Sequence, residues 1–212
     1  MATPTERLTA IANQLLERYG VLTRAAMSRE TVPGGFTTLY PVLKAMEEAG
    51  RVRRGYFVEG LGGAQFAAPG AEDRLRAFRE RRDEPAEVTV LAATDPANAY
   101  GAAIGWPEQD KSLMRPQRAA GAHLILRDGI LVGFLGRSGH HLRVFLSDAE
   151  PDRGQQIEAI VSGLVKLAKQ RGSVQIREID GEPVDRSSLV EKLRGVGFNP
   201  TRHGYLLRGA DA

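Results

Sequence analysis

The chain of 212 residues contains no cysteine. This absence excludes disulfides, thiolate nucleophiles and every cysteine-based zinc or iron–sulfur site, so packing alone must stabilise the fold. No run approaches the roughly 20 consecutive apolar residues that cross a bilayer, and the polar start of the chain lacks the basic-then-apolar order of a signal peptide. We therefore expect a cytoplasmic protein with no membrane partner.

Sequence motifs for nucleotide hydrolysis and for serine hydrolases are also missing. The sequence contains no G-x-x-x-x-G-K-[ST] loop, no G-x-S-x-G elbow and no G-x-G-x-x-G that opens a helix after a strand. We therefore expect that this chain alone hydrolyses no ATP and that it needs no cofactor.

Metal ligands are scarce. The candidates are four histidines, His123, His140, His141 and His203. They show no H-x-x-x-H spacing, and adjacent residues on a strand point to opposite faces of the sheet. The sequence therefore predicts no metal centre.

What is present is the composition of an ordinary globular protein, with 42% hydrophobic and 26% charged residues. The length is sufficient for two domains of about 100 residues, each with its own core. The net charge is only +3, but 29 basic residues give an isoelectric point near 9.4. This modest bias suits an anionic partner without requiring one.

The N-terminal part of the chain predicts three helices. Apolar residues from Leu8 to Tyr19 recur at helical spacing, and Gly20 follows as a stop. Thr23 can then accept hydrogen bonds from the free N–H groups of a short second helix over 24–30.

The third helix carries its apolar stripe from Phe36 to Met46 and ends at Gly50. We expect Thr38 to be its N-cap. Pro41 then falls at the third helical position, where a proline removes no intrahelical hydrogen bond.

A basic hairpin follows this helix. Its strands are predicted at 52–58 and 64–67, and the glycines of the turn at 59–63 supply the positive φ angles that such a turn needs. Three helices and a hairpin in this order are the arrangement of a winged helix, which we assign to residues 1–70.

The rest of the chain predicts a connector at 71–85 and a second domain at 86–212. The connector is a charged helix over 71–82 that Asp83-Glu84-Pro85 ends. The second domain begins with the apolar run 88–93, and an irregular stretch follows at 94–118. Strands are then predicted at 122–126 and 130–135 around the turn Asp128-Gly129, and at 141–146. The remaining predicted elements are a helix from Ile157 to Gly172, a strand at 174–179, a helix from a capping box at Ser188 to Gly197, and a strand at 205–207. The predicted fold class is therefore α+β, a winged helix followed by a small antiparallel β-rich domain.

Arginines are concentrated in the hairpin and the connector. They are Arg51, Arg53, Arg54, Arg74, Arg76, Arg79, Arg81 and Arg82, against Glu59, Glu72, Asp73 and Glu80. Guanidinium forks bind phosphate oxygens bidentately, and aromatic residues beside them can stack or fill the hairpin core. We therefore predict a DNA-binding surface, for which the candidate residues are Lys44, Arg51, Arg53, Arg54, Tyr56, Gln65 and Trp106.

Other interpretations of this surface stay open. The outward face of the third helix includes Glu47 and Glu48, which repel phosphates, so strong base readout is not expected. A charge run is often only a solvated, salt-bridged surface. A winged helix can also be an oligomerisation module that forms a homo-oligomer, or a transcriptional regulator.

The irregular stretch 94–118 holds the best candidate for a catalytic site. Asp95, Asn98 and Tyr100 lie close together in sequence, and Trp106 follows. A carboxylate and aromatics on one loop could activate water and stack on an extruded base, with Asp95 as the candidate catalytic residue. In the alternative interpretation, Asp95 and Asn98 only stabilise turns and Trp106 covers the edge of a core.

Several of these segments together resemble the extreme C-terminal region of the large helicase-related (Lhr) superfamily 2 DNA repair helicases. The segments are Gly34-Gly35-Phe36, the wing from Gly50 to Gly62, Ala64-Gln65-Phe66-Ala67 and Thr94-Asp95-Pro96-Ala97-Asn98. The resemblance covers essentially the whole chain. It implies a winged helix followed by a β-barrel-like domain, similar in architecture to the AlkZ-type DNA glycosylases, and a role in DNA repair.

The departures from the family pattern limit what the resemblance implies. The helicase ATPase core is absent, and the family's D-P-A-N-P-Y-G and L-P-W-P segments lose two prolines here, at Ala99 and at Gly105. Uracil excision in some relatives is linked to an aspartate that no motif of this chain matches, so no catalytic residue is transferred.

The sequence thus predicts a DNA-binding accessory module of an Lhr-type helicase. Its partner would be single-stranded DNA or duplex DNA with a single-stranded tail, with a helicase core supplied in cis or in trans. The alternative is a monofunctional DNA glycosylase that acts on uracil or alkylated bases.

Overall fold

The computed structural model describes residues 3–28, 30–80, 85–107 and 114–211, with the backbone alone for Arg79 and Glu80. The chain divides into two compact units. The first comprises Met1–Pro85 and Ala102–Gly105, and the second comprises Ala86–Gly101 and Trp106–Ala212. Within the described ranges, no helix has the length and apolar character that a membrane span requires.

The first helix, α1, spans Pro4–Tyr19 and is fixed at both ends by local sequence. The Thr3 hydroxyl accepts a hydrogen bond from the Glu6 N–H, and the Glu6 carboxylate accepts one from the Thr3 N–H, which together form a capping box. Gly20, with φ of 68°, ends the helix. The predicted first helix and its stop are confirmed.

The second helix, α2, spans Arg24–Met27, and the Thr23 hydroxyl accepts a hydrogen bond from the Ala26 N–H at 3.1 Å. The predicted cap is confirmed, but the helix ends earlier than the predicted 24–30. Just before it, Val21–Leu22 forms a short strand, β1. This strand was not predicted, because two residues carry no periodicity and only pairing with a distant strand defines it.

The third helix, α3, spans Gly35–Glu48, so the predicted N-cap at Thr38 is wrong. The chain turns into the helix at Gly34, whose φ of 75° is left-handed and where a Cβ would collide with the Thr38 hydroxyl. Pro41 therefore lies inside the helix, and the Thr37 carbonyl has no N–H to accept from at position 41.

The hairpin consists of β2, Arg53–Gly55, and β3, Gln65–Ala67, and the sheet order is β1-β3-β2. The strands are shorter than predicted, because the Phe57 and Val58 N–H groups bond to the Gln65 side chain instead of a neighbouring strand. Three helices and this sheet confirm the predicted winged helix. Its core contains, among others, Leu15, Leu16, Leu22, Phe36, Leu39, Leu43 and Phe66.

Helix α4, in the segment predicted to be a connector, spans Ala71–Glu80. The predicted helix extended to residue 82, and residues 81–84, which include part of its predicted end, lie outside the described residues.

The second unit is built on a six-stranded sheet and a three-stranded sheet. Its elements are β4 (Val88–Ala92), β5 (His123–Arg127), β6 (Ile130–Leu135), β7 (His141–Val144), α5 (Asp152–Arg171), β8 (Ser173–Ile176), β9 (Glu178–Ile179), β10 (Glu182–Pro183), α6 (Val190–Gly195), β11 (Asn199–Thr201) and β12 (Gly204–Arg208). The sheet orders are β10-β9-β7-β6-β5-β4 and β11-β12-β8. The fold is α+β, as predicted.

Two local predictions in this unit stand out. The hairpin turn at Asp128-Gly129 is confirmed, and both residues have positive φ, 49° and 79°. The predicted single strand 174–179 is wrong, because it breaks at Arg177 into β8 and β9, which belong to different sheets. Strand β9 pairs in parallel with β7, so the unit is not wholly antiparallel. In the described residues, the six-stranded sheet is open, because its end strands β10 and β4 do not pair with each other.

The last helix, α6, does not begin with the predicted capping box at Ser188. Its N-cap is Leu189 and no side chain caps the helix. The hydroxyl that bonds locally is that of Ser187, which accepts from the Leu189 N–H at 3.2 Å.

The six-stranded sheet is covered on both faces. Helix α5 packs on one face, where the buried residues include Ile125, Val132, Leu135, Leu142, Ile160 and Leu164. On the other face, Tyr100, Trp106 and Met114 pack against a second cluster that contains Leu124, Leu131 and Phe134. The long stretch after β4 therefore serves in part as the cover of a core.

Candidate nucleic-acid interface

Strand β2 divides the arginines of the wing between two faces. Successive side chains on a strand point to opposite sides, and β2 lies at one edge of the sheet. Arg53 extends toward α4, where its Nη1 lies 2.9 Å from Oε2 of Glu72. Arg54 extends toward α3, where its Nε lies 3.2 Å from Oε1 of Glu47. Two neighbouring cations thus belong to two different surfaces.

A groove of about 400 Å³ lies between β2 and α4. We call it the wing groove. Its charged lining consists of Arg51, Arg53, Glu72, Asp73 and Arg76, and Gly50, Val52 and residues 67–70 form the rest of its wall. Glu72 joins the two sides, because its Oε1 lies 3.0 Å from Nη2 of Arg76 while its Oε2 contacts Arg53. Three arginines face two carboxylates, so the groove keeps a net positive charge.

The outward face of α3 is electrically balanced. Lys44 pairs with Glu48 at 3.7 Å, and Arg54 pairs with Glu47 while its Nη1 also lies 3.4 Å from the Tyr40 hydroxyl. Two cations therefore meet two carboxylates on the helix that would enter a groove of DNA. The structure thus places Lys44 and Arg54 together, on the face that does not hold Arg51 and Arg53.

The predicted role of Gln65 as a DNA-contacting residue is wrong, because its side chain is fully buried. Its Oε1 accepts from the Phe57 and Val58 N–H groups, and its Nε2 donates to the Val58 and Leu61 carbonyls, all at 2.8 to 2.9 Å. Every hydrogen-bonding position of the amide is used within the wing turn. Gln65 therefore shapes the turn from inside.

Tyr56 is the residue that this turn exposes. Its side chain is 90% exposed, beside β2 and ahead of the segment that Gln65 holds. The neighbouring Phe57 ring instead packs over Gly55, where an added Cβ would lie 3.1 Å from the ring. The wing thus presents one aromatic ring to solvent and keeps the next against its own backbone.

The Asp95 loop is held by hydrogen bonds of its own. Asp95 Oδ1 accepts from the Ala97 N–H at 2.8 Å, which closes a turn. Asn98 is buried, donates to the Ala93 carbonyl and accepts from the Tyr100 N–H, both at 2.9 Å. These contacts are the turn-stabilising roles of the second interpretation.

Arg118, which the sequence gave no reason to single out, organises the same loop. Its guanidinium donates to the backbone carbonyls of Asp95, Asn98 and Tyr100. The partners are main-chain atoms 18 to 23 positions away in the sequence, so no side-chain pattern in the sequence indicates the contact.

The predicted role of Trp106 as a DNA-contacting residue is not supported by its surroundings. Its ring stacks on Tyr100 with 6.2 Å between centroids and meets Phe134 edge-on at 5.7 Å. Gly101 lies directly beneath, where an added Cβ would collide with the indole. Trp106 covers the edge of a core, as the second interpretation of this loop stated.

The histidines do not assemble in the part of the chain that the structure describes, where no group of three histidines or carboxylates could hold a metal ion. His140 Nδ1 lies 3.1 Å from the Gln175 carbonyl. Burial, together with the charge of Arg171, lowers the pKa of His123 below its usual value.

Comparison with known proteins points to one family. Residues 1–87 match the family model described as the winged-helix domain of large helicase-related protein. Over 205 residues the chain is 45% identical to the "Lhr helicase/ probable uracil glycosylase" of Mycolicibacterium smegmatis. The matched region covers 93% of this chain and 14% of that protein. Over 202 residues the chain is 35% identical to the "Lhr helicase/uracil glycosylase" of Escherichia coli K12, covering 94% and 13%. The predicted resemblance to Lhr helicases is confirmed, and the chain spans a small fraction of each relative.

Proposed function

We propose that this chain, whose residues 1–87 belong to the winged-helix domain family of large helicase-related proteins, is a DNA-binding accessory module of an Lhr-type helicase. Its attachment to DNA is through the sugar–phosphate backbone, and the wing groove is the surface that makes the contact. The observation that carries this proposal is the convergence of Arg51, Arg53 and Arg76 on one groove.

The charges of the groove are suited to an exchangeable anionic partner. The side chains of Arg53 and Arg76 are 78% and 63% exposed. Ion pairs at such exposure contribute only about 0–1 kcal/mol, so a phosphate can compete for the same guanidinium groups. Arginine forks recognise phosphate oxygens in the geometry that such a contact needs.

Binding is expected to be independent of sequence. Backbone phosphates carry no sequence information, and the charged outward side chains of α3 are engaged in ion pairs, Lys44 with Glu48 of the same helix and Glu47 with Arg54 of β2. The balanced charge of that face gives it no attraction for a polyanion.

Tyr56 extends the proposal to the form of the DNA. An exposed aromatic ring beside arginines can stack on an unpaired base, whatever the base is. We therefore expect single-stranded DNA, or a duplex with a single-stranded tail, to be the preferred partner.

A helicase core is the other expected partner. The sequence holds no motif for ATP hydrolysis, whereas the two relatives named as helicases are several times longer than the matched region. Unwinding would therefore depend on an ATPase core joined to this module in cis or supplied in trans.

The test uses two charge reversals on adjacent residues. Arg53→Glu and Arg54→Glu change the charge by the same amount on the same strand, but on opposite faces. Measured by fluorescence anisotropy with a labelled 20-nucleotide single strand and the same strand in a duplex, Arg53→Glu is expected to weaken binding about tenfold or more, and Arg54→Glu much less. Unchanged affinity in both variants would end the proposal.

A second candidate function is excision of uracil, because both relatives carry uracil glycosylase in their names. Asp95 is the carboxylate that the sequence offers for this chemistry. The test is incubation with uracil-containing single-stranded DNA followed by hot alkali, which cuts the strand at abasic sites. Cleavage that Asp95→Asn abolishes would assign the role to Asp95; equal cleavage in both proteins would place catalysis elsewhere, and no cleavage would end this candidate.

A further inference from the structure

We propose that Glu72 occupies, in the free protein, the position in the wing groove that a backbone phosphate takes when DNA binds. Glu72 would then be a built-in competitor that lowers the affinity of the groove for DNA. This inference rests on the proposed function of the groove and adds the way in which its affinity is set.

The contacts of Glu72 match those expected of a bound phosphodiester. One carboxylate oxygen accepts a hydrogen bond from Nη1 of Arg53 at 2.9 Å, and the other accepts one from Nη2 of Arg76 at 3.0 Å. A phosphodiester likewise offers one negative charge shared by two non-bridging oxygens, and arginine binds both kinds of group through the same N–H donors. The two guanidinium groups are therefore already placed around an anion.

The exposure of the three side chains allows exchange. The Glu72 side chain is 38% exposed, whereas those of Arg53 and Arg76 are 78% and 63% exposed. The carboxylate thus lies deeper in the groove than its partners, and a phosphate can approach the arginines from solvent. Exposed ion pairs of this kind are weak enough to be replaced.

Arg51 supplies a first point of contact. It lines the same groove and, among the residues that the structure describes, forms no ion pair with a carboxylate. An approaching phosphate can therefore be attracted by Arg51 before it displaces Glu72 from the other two arginines.

The direction in which Glu72→Gln changes the affinity for DNA decides between two roles of Glu72. If the carboxylate competes with phosphate, Glu72→Gln strengthens DNA binding, because Arg53 and Arg76 lose their internal anion. If the carboxylate only positions the two arginines, Glu72→Gln weakens binding. We expect the first result, with an affinity about five- to tenfold higher and a steeper dependence on salt, since more cations are then available to replace counterions.

Asp73→Asn is the matched control. Asp73 lines the same groove and carries the same charge, but no arginine of the described chain pairs with it. Its neutralisation tests the general effect of one unit of charge, for which we expect an increase of about twofold. Arg76→Ala is expected to weaken binding of the labelled single strand about three- to tenfold.

The measurement is anisotropy of the labelled 20-nucleotide single strand at several salt concentrations, with thermal unfolding of each variant to verify the fold. An affinity of Glu72→Gln that exceeds that of Asp73→Asn supports the inference. An affinity equal to or below that of Asp73→Asn overturns it, while the loss in Arg53→Glu still supports the proposed function.

A second arm tests the groove without DNA. Inorganic phosphate is titrated while the arginine Nε–Hε resonances are followed by NMR. Shifts of the Arg53 and Arg76 resonances that saturate at lower phosphate concentration in Glu72→Gln than in wild type support the competitor role. If the resonances shift in neither protein, the competitor role is overturned, whatever the result of the DNA-binding measurements.

Discussion

Arg53 and Arg54 are neighbours in sequence but partners of different helices, since Arg53 pairs with Glu72 on α4 and Arg54 with Glu47 on α3. The arginines of the wing are therefore divided between two surfaces. The wing groove has an excess of positive charge, whereas on the face of α3 the positive and negative charges are equal in number. This division underlies the proposed site of attachment and supplies Arg54 and Lys44, on the balanced face, as internal controls for Arg53 and Arg51.

The first prediction concerns the salt dependence of DNA binding. Arg51→Ala should reduce the slope of log affinity against log salt by about one, because one phosphate contact releases about one counterion. Lys44→Ala, on the balanced face of α3, should change the slope by less than half of that. Equal changes in both variants would contradict the assignment of the contact to the wing groove.

Elements defined by residues close together in sequence could be predicted, whereas elements defined by residues far apart in sequence could not. Helix α1 and the turn at Asp128-Gly129 were predictable, because an apolar stripe of helical period, a glycine stop and a positive-φ turn are all local features of the sequence. Strand β1 was not, because its two residues become a strand only by pairing with β3 about 45 positions later, as in Val21↔Ala67.

The same distinction applies to the candidate site. The sequence pointed to Arg53, but its partner Glu72 lies 19 positions away and could not be paired with it from periodicity. Gln65 was misassigned because a polar residue next to a basic surface suggests exposure, whereas the backbone of the wing turn required a buried amide.

The second prediction concerns Tyr56 and the form of the DNA. Tyr56→Ala should weaken binding of single-stranded DNA about five- to a hundredfold, the range for loss of one base–aromatic stacking contact, and should change duplex binding by about twofold or less. Tyr56→Phe should retain the single-strand preference. Because the ring is 90% exposed, chemical denaturation should show an unchanged free energy of unfolding.

The third prediction concerns the stability of the wing turn. Gln65→Met keeps the approximate shape of the side chain but leaves two N–H groups and two carbonyls without their partner. We expect the free energy of unfolding, measured by urea denaturation, to fall by about 2–4 kcal/mol. Gln117→Met, the same change at an exposed glutamine, should have an effect below about 0.5 kcal/mol.

The fourth prediction is a dependence of stability on pH. The lowered pKa of His123 means that the folded state binds fewer protons than the unfolded state once the pH falls below about 6.5, the ordinary value for histidine. Stability is therefore retained above that pH and lost as the pH falls through the lowered pKa. Urea denaturation at pH 7.5 and at pH 5 should show a smaller loss in His123→Gln than in wild type, and equal losses would contradict the prediction.

The fifth prediction uses the single tryptophan as a probe of the Asp95 loop. Arg118→Lys keeps the positive charge, but an ammonium group cannot reach the three carbonyls that the planar guanidinium joins. The segment from Asp95 to Tyr100 should then loosen, and with it the stacking of Tyr100 on Trp106. We expect the fluorescence emission of Trp106 to shift to longer wavelength as the ring becomes more hydrated.

The matched control for this change is Arg115→Lys, at an exposed position on the same stretch of chain. It should leave both the emission and the free energy of unfolding unchanged, whereas Arg118→Lys should lower the latter by about 1–2 kcal/mol, since partly buried carbonyls lose their donors. Identical spectra for Arg118→Lys and wild type would show that the loop is held without Arg118. A red-shifted spectrum with intact DNA binding would separate the packing of this loop on the core from the DNA contact of the wing groove.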